Sequence, residues 1–190
     1  MNFKWSKTER NVLTAFAGES QARNRYAYFA SAAKKEGYEQ ISALFLDTAD
    51  NEKEHAKMFF KLLQGGETEI IASYPAGVIA DTATYLGAAA DGEIFEWTTL
   101  YQNFADVAKE EGFMDVWEIF TQIAKTEKFH EARYLSLLKS VKEGKVFKKD
   151  SPVTWHCRNC GYVFEGKEAS EKCPACKHSK SYWEVLADNY

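Results

Sequence analysis

The chain has 190 residues, 45% of them apolar, with a formal net charge of −4. That length holds one domain with a packed core, or a domain plus a small module, and the apolar share excludes global disorder. The basic residues gather into no stripe, which argues against a nucleic-acid surface, and no apolar run approaches the length of a membrane span.

Met1-Asn2-Phe3-Lys4-Trp5-Ser6-Lys7 has no apolar run behind its charges, so no signal peptide is read there and a cytoplasmic protein is expected. Ser6-Lys7-Thr8-Glu9 has the form of a capping box, with Ser6 as N-cap and Glu9 at N3. A first helix follows and stops at Gly37. A second runs from about Glu39 to Gln64 and is closed by Gly65-Gly66. Residues 67–77, with Tyr74-Pro75, suit a crossover connection. A third helix starts with Asp81 or Thr82 near its cap and ends at Gly112, and a fourth runs from about Met114 to Glu143, closed by Gly144. Helices of roughly 25 to 30 residues are about 40–45 Å long, which suits an all-α four-helix bundle with a long crossover.

An internal repeat sets the topology. A shift of 75 residues lays Tyr26 on Tyr101, Phe29 on Phe104, Glu36-Gly37 on Glu111-Gly112, Phe45 on Phe120, Glu52 on Glu127 and His55 on His130. Each half is therefore a helical hairpin. The repeat slips upstream: Glu19 lies seven residues before Tyr26, whereas Glu93 lies eight before Tyr101. One extra residue in the third helix restores the shared face, so a π-bulge is expected between Glu93 and Tyr101.

In Glu-x-x-His the two side chains sit about 60° apart round a helix and can face one point. Di-metal bundles combine two such motifs with one Glu from each remaining helix. This chain offers Glu19, Glu52 with His55, Glu93, and Glu127 with His130, plus Glu96 three residues after Glu93. Carboxylates with imidazole suit iron or manganese. Buried without cations, five ionised carboxylates would repel one another strongly, so metal should contribute to stability. Glu96 is surplus to the symmetric pattern, which suggests that one metal exchanges it for His55 as its charge changes. Tyr26 and Tyr101 lie on or near the site face. They either hydrogen-bond at the site or simply pack, and Trp97 is read as core or as packing behind the ligands.

Composition changes towards the C-terminus, where all four cysteines form Cys157-x-x-Cys160 and Cys173-x-x-Cys176. Paired knuckles at this spacing point to a tetrahedral metal site with four thiolate ligands rather than to disulfides. Spacing alone leaves zinc and iron both open. A module this small needs the metal as a staple. Trp155, Tyr162, Phe164 and Trp183 are expected around it, with His156 and His178 at the surface. The resulting domains are 1–146, a linker at 147–154, and a small β-rich module at 155–190. The eleven residues from Gly144 to Thr154 reach at most about 36–40 Å, so the module could serve its own bundle or a neighbour's.

The combination of Glu19, Glu52-x-x-His55, Glu93-x-x-Glu96, Glu127-x-x-His130 and the four cysteines, spanning nearly the whole chain, resembles the rubrerythrins. That resemblance implies a ferritin-like di-iron bundle with a rubredoxin-like C-terminal domain. It implies two iron ions in the bundle, a third in the four-cysteine site, and a His/Glu exchange at one iron. The implied activity is reduction of hydrogen peroxide to water in oxidative-stress protection. Electrons would come from a rubredoxin or its NADH-dependent reductase, and the assembly would be a homodimer. Tyr26 and Tyr101 match tyrosines near the family's di-iron centre and are the catalytic candidates. A ferritin-type iron store and a zinc-ribbon adaptor are the rival readings.

Overall fold

Ser6 begins the first helix as the spacing predicts: its Oγ accepts from the Glu9 amide at 2.9 Å. The reciprocal contact differs from a capping box. Glu9 Oε2 accepts from Trp5 N, not Ser6 N, because Ser6 N already donates to Phe3 O across a tight turn in which Trp5 has φ 71°. In the computed structural model, which describes residues 2–188, the helices are α1 (Lys7–Lys35), α2 (Glu39–Leu62), α3 (Thr82–Phe95), α4 (Tyr101–Glu110) and α5 (Met114–Lys142). Residues 1, 189 and 190, the outermost of the expected domains, lie outside that description.

A five-residue π-helical segment, Glu96–Leu100, joins α3 to α4 into one rod. It falls inside the interval where the slip of the repeat calls for an extra residue. Asp81 caps α3 by accepting from Thr84 N at 2.8 Å. Gly37 and Gly112, equivalent in the repeat, both have φ 86° and turn the chain at the same point of each hairpin. The α1/α2 hairpin and the hairpin of α3–α4 with α5 pack together as a four-rod bundle, linked by the long crossover.

The core repeats the same symmetry. On one side of the bundle Tyr26, Phe45 and Tyr134 pack with ring centroids 5.3–6.3 Å apart. Their counterparts Tyr101, Phe120 and Phe59 pack at 5.0–5.8 Å on the other. Burying three aromatic side chains on each side supplies several kcal/mol per cluster, and the carboxylates lie between the two.

The C-terminal module is a three-stranded antiparallel sheet of order β2-β1-β3, with β1 at Lys148–Cys157, β2 at Val163–Glu168 and β3 at Trp183–Val185. The expected linker at 147–154 is therefore mostly strand. Lys148 pairs with Glu168, and after a register shift Val153 pairs with Gly166. Phe147 stacks on Tyr38 at 6.0 Å, and the Ser181 side chain lies beside Gly37, so the module rests on the α1–α2 turn of its own bundle. Among the described residues no helix is long and apolar enough to cross a membrane.

Candidate metal centre

All four rods contribute to one buried cluster. Glu19 comes from α1, Glu52 and His55 from α2, Glu93 from α3, and Glu127 and His130 from α5. Glu19, Glu52, Glu93, Glu127 and His130 are at most 1% exposed. Two four-residue sets can each bring their donor atoms within 4.8 Å of one another: Glu19, Glu52, His55 and Glu127, and Glu52, Glu93, Glu127 and His130. Glu52 and Glu127 belong to both. Being common to both groups, they would be shared if each group held a metal ion, with Glu19 and His55 completing one group and Glu93 and His130 the other.

The imidazoles face inward through Nδ1. His55 Nδ1 lies 2.9 Å from Glu52, 3.0 Å from Glu127 and 3.8 Å from Glu19. His130 Nδ1 lies 2.8 Å from Glu127, 3.2 Å from Glu52 and 3.8 Å from Glu93. Glu19 Oε2, Glu52 Oε1, Glu93 Oε2, both Glu127 oxygens and His130 Nδ1 are buried without a well-directed hydrogen bond, although His130 Nδ1, Glu52 Oε1 and the Glu127 oxygens stand in the close histidine–carboxylate contacts just given. Buried polar atoms are almost always paired. Six orphaned atoms converging on one point fit divalent cations held by oxygen and nitrogen donors.

The two tyrosines engage the terminal carboxylates crosswise. Tyr26 on α1 donates to Glu93 Oε1 at 2.5 Å, and Tyr101 on α4 donates to Glu19 Oε1. Hydroxyls that only packed in the core would not reach the cluster. The π-helical segment is what makes the second contact equivalent to the first, since it restores the face that the eight-residue spacing would otherwise lose.

The electrostatics are those of a ligand set held in place before metal arrives. Burial raises the Glu19 and Glu96 carboxyls well above the usual range, with neighbouring carboxylates adding to it, and brings Glu93 to about 8 against the pull of His130. Burial opposes protonation of His55, but its contacts with Glu127 and Glu52 hold it up at about 10. The same balance puts His130 at about 12. Glu52, also opposed by burial, is held down at about 2 by the two histidines.

Glu96 joins neither group of four. It starts the π-helical segment and lines a cleft of about 380 Å³ between α1 and the crossover, together with Arg25, Tyr26 and Tyr74. Trp97 donates from Nε1 to Glu131 at 2.7 Å and carries Lys128 over its ring, so it packs outside the cluster.

In the C-terminal module, Cys157 Sγ is 3.8 Å from Cys176 Sγ and Cys160 Sγ is 3.6 Å from Cys173 Sγ. A disulfide would be about 2.05 Å, whereas the edge of a tetrahedron with 2.3 Å metal–sulfur bonds is about 3.8 Å. The knuckles match. Gly161 N donates to Cys157 O and Lys177 N to Cys173 O, with φ 79° and 63°, so Lys177 adopts the glycine-like conformation despite its side chain. The amide of His178 holds the Cys176 thiol down at about 6. Trp155 and Trp183 are buried against the cluster and donate to Gly166 O and Ser170 O. Phe164 packs edge-on against Trp183, and Tyr162 does so from a more exposed position. His156 pairs with Glu184, and His178 Nδ1 lies against Cys176 O.

Motif reasoning missed two residues. Asn51, one position before Glu52, has Oδ1 3.2 Å from His130 Nε2. Tyr134, buried among Tyr26 and Phe45, stands where the first half has Phe59. The signal available was the repeat itself, read for its mismatches rather than its matches.

Residues 10–138 match the family described as Rubrerythrin, and residues 155–184 match Rubrerythrin, rubredoxin-like domain. The chain is 57% identical to the rubrerythrin of Porphyromonas gingivalis over 189 residues, covering all of this chain and 94% of that one. It is 53% identical to the rubrerythrin of Nitratidesulfovibrio vulgaris, covering all of this chain and 99% of the relative. Among solved structures, nigerythrin in a mixed-valence state superposes with a TM-score of 0.63 at 31% identity, covering 96% of this chain and 90% of that one. The bacterioferritin of Desulfovibrio desulfuricans shares the fold, with a TM-score of 0.60 at 20% identity over 73% of this chain and 82% of its own. With both domains matched and relatives aligned end to end, the chain belongs to the rubrerythrin family.

Proposed function

We propose that this protein is a di-iron peroxidase that reduces hydrogen peroxide to water and protects its cell against oxidative stress. The observation that carries this reading is the pair of four-donor groups sharing Glu52 and Glu127, closed on each side by a histidine and a terminal glutamate. Two ferrous ions bound there would supply the two electrons that reduction of peroxide to two waters requires. Glu52 and Glu127 would hold both ions, and His55 and His130, whose Nδ1 atoms face the carboxylates, would each hold one. Tyr26 and Tyr101 fix the terminal carboxylates of Glu93 and Glu19 by donating to them. Their hydroxyls are also the nearest protein protons to those oxygens.

Glu96 and His55 are the residues that would alternate in holding one of the ions. Glu96 stands outside both groups at the start of the irregular π-helical segment, and it lines the cleft together with Arg25. The cleft is the proposed route for peroxide.

The four-cysteine module, holding iron, is the built-in source of reducing electrons, reloaded by a rubredoxin or its NADH-dependent reductase. It rests on the Gly37–Tyr38 turn, fourteen residues along α2 from Glu52, or about 20 Å of helical rise. That separation favours a homodimer in which one chain's module serves its partner's bundle.

The test is metal analysis and a visible spectrum of anaerobically prepared protein, followed by mixing the reduced form with peroxide. Three irons per chain, an iron–thiolate band and fast reoxidation at one peroxide per iron pair are expected. Zinc in the thiolate site of protein from iron-replete cells rejects the electron-transfer half. Oxygen-driven accumulation of iron far beyond three per chain makes the protein an iron store instead.

A further inference from the structure

The ligand set is nearly two-fold symmetric, yet the two histidines are supported differently from behind. His130 Nε2 lies 3.2 Å from Asn51 Oδ1, and its side chain is 2% exposed. His55 makes its side-chain hydrogen bond through Nδ1, to Glu52, and is 14% exposed. The repeat counterpart of Asn51 is Thr126. The outer fastening present in the second half is thus absent from the first among the described residues.

An imidazole that binds metal through Nδ1 must carry its remaining proton on Nε2. An amide oxygen accepting from Nε2–H selects that tautomer and fixes the plane of the ring. Asn51 also sits on α2 while His130 sits on α5, so the contact ties the ligand to the opposite rod, next to the shared carboxylate Glu52.

We propose that Asn51 is a positioning residue: it fastens His130 as a permanent ligand, and the lack of an equivalent behind His55 makes His55 the imidazole that can be released. This rests on the two-metal reading above and adds to it a reason why a symmetric ligand set exchanges on one side only. The asymmetry of redox exchange is then set partly outside the ligand sphere.

The test reads metal binding rather than turnover. Metal-free full-length protein is titrated anaerobically with cobalt(II) against a competing chelator, comparing the parent with N51L, N51T and N51D. Asn51→Thr installs the residue of the other half, and Asn51→Asp keeps the acceptor oxygen. In N51L and N51T one of the two bundle sites is expected to weaken about 10- to 100-fold, the range for loss of such a partner, while N51D keeps at least parental affinity. In the cobalt-loaded parent, one shifted imidazole N–H resonance should exchange slowly with solvent and disappear in N51L. Unchanged affinities in N51L and N51T overturn the role of Asn51. Equal weakening in N51D and N51L does so too, since the acceptor would then be irrelevant. A parent that binds fewer than two cobalt ions in the bundle overturns the two-metal reading, and the role of Asn51 with it.

Discussion

Stripping metal from the bundle is expected to lower its melting temperature by about 10–20 °C. Six buried atoms of the site lack well-directed hydrogen bonds: Glu19 Oε2, Glu52 Oε1, Glu93 Oε2, both Glu127 oxygens and His130 Nδ1. At about 1–3 kcal/mol for each unpaired atom, cations can return at most about 6–18 kcal/mol. The contacts of His55 and His130 with Glu52 and Glu127 already offset part of this in the metal-free chain, and burial favours the neutral forms of the Glu19 and Glu93 carboxyls. Mass action sets the smaller figure: metal at a hundred times its Kd adds about 2.7 kcal/mol per site, or about 5 kcal/mol for two. At this chain length each kcal/mol moves Tm by about 2–4 °C. The assay is an anaerobic thermal melt followed by the helical circular-dichroism signal, which reports the bundle because the module has no α-helix among its described residues. Iron-loaded and chelator-treated samples are compared, with metal content measured on both. Identical melts with the iron verifiably gone would refute the reasoning, because the orphaned atoms would then have no need of cations.

Metal affinity should rise with pH, since His55 at about 10 and His130 at about 12 each shed a proton on binding. Calorimetry in two buffers of different ionisation enthalpy counts those protons, and zero release at pH 7 contradicts the geometry. In the metal-free chain the same raised values stabilise the fold fully below the unfolded histidine value of about 6.5. That contribution is lost as pH rises through about 10 for His55 and about 12 for His130, and a pH series of melts can follow its onset. Deleting Thr98, exposed in the π-helical segment, should rotate α4 by about 100° relative to α3 and take Tyr101 away from Glu19. Iron content should fall below two per bundle, and retention of both irons argues against the segment's role. Tyr101→Phe leaves Glu19 Oε1 without its donor and should cost about 1–3 kcal/mol in chemical denaturation of metal-free protein; no change means the hydroxyl only packs. Cys176→Ser should abolish metal binding by the module and its near-ultraviolet signal from Trp155 and Trp183, leaving the helical melt unchanged. A destabilised bundle would instead show that the two parts fold as one.

Four helices, two hairpins and the crossover could be read from the chain because caps, glycine stops and the 75-residue repeat are local or periodic signals. The π-helical segment could be read for the same reason: a one-residue slip between Glu93 and Tyr101 is a counting fact with a single geometric remedy. The strand at 148–154 could not. Lys148 to Thr154 is polar and contains Pro152, and it is extended because β2 pairs with it, a contact between residues up to twenty apart.

At the metal centre, sequence determined the donor types and their faces, since three-residue spacing on a helix fixes which side chains look the same way. It did not determine which carboxylates are shared. Glu52 and Glu127 are equivalent to Glu19 and Glu93 as chemistry. They become the shared pair only because α2 and α5 place them within reach of both groups, while Glu19 and Glu93 each belong to one group and accept from Tyr101 and Tyr26. Glu96, one of seven equal candidates in the chain, is set apart because the π-helical turn begins at its position. Likewise nothing in the run Asn51-Glu52 marks Asn51 as the support of a histidine on another helix. Contacts between rods depend on their rotation and height, which the core aromatics set together, and no single segment encodes them.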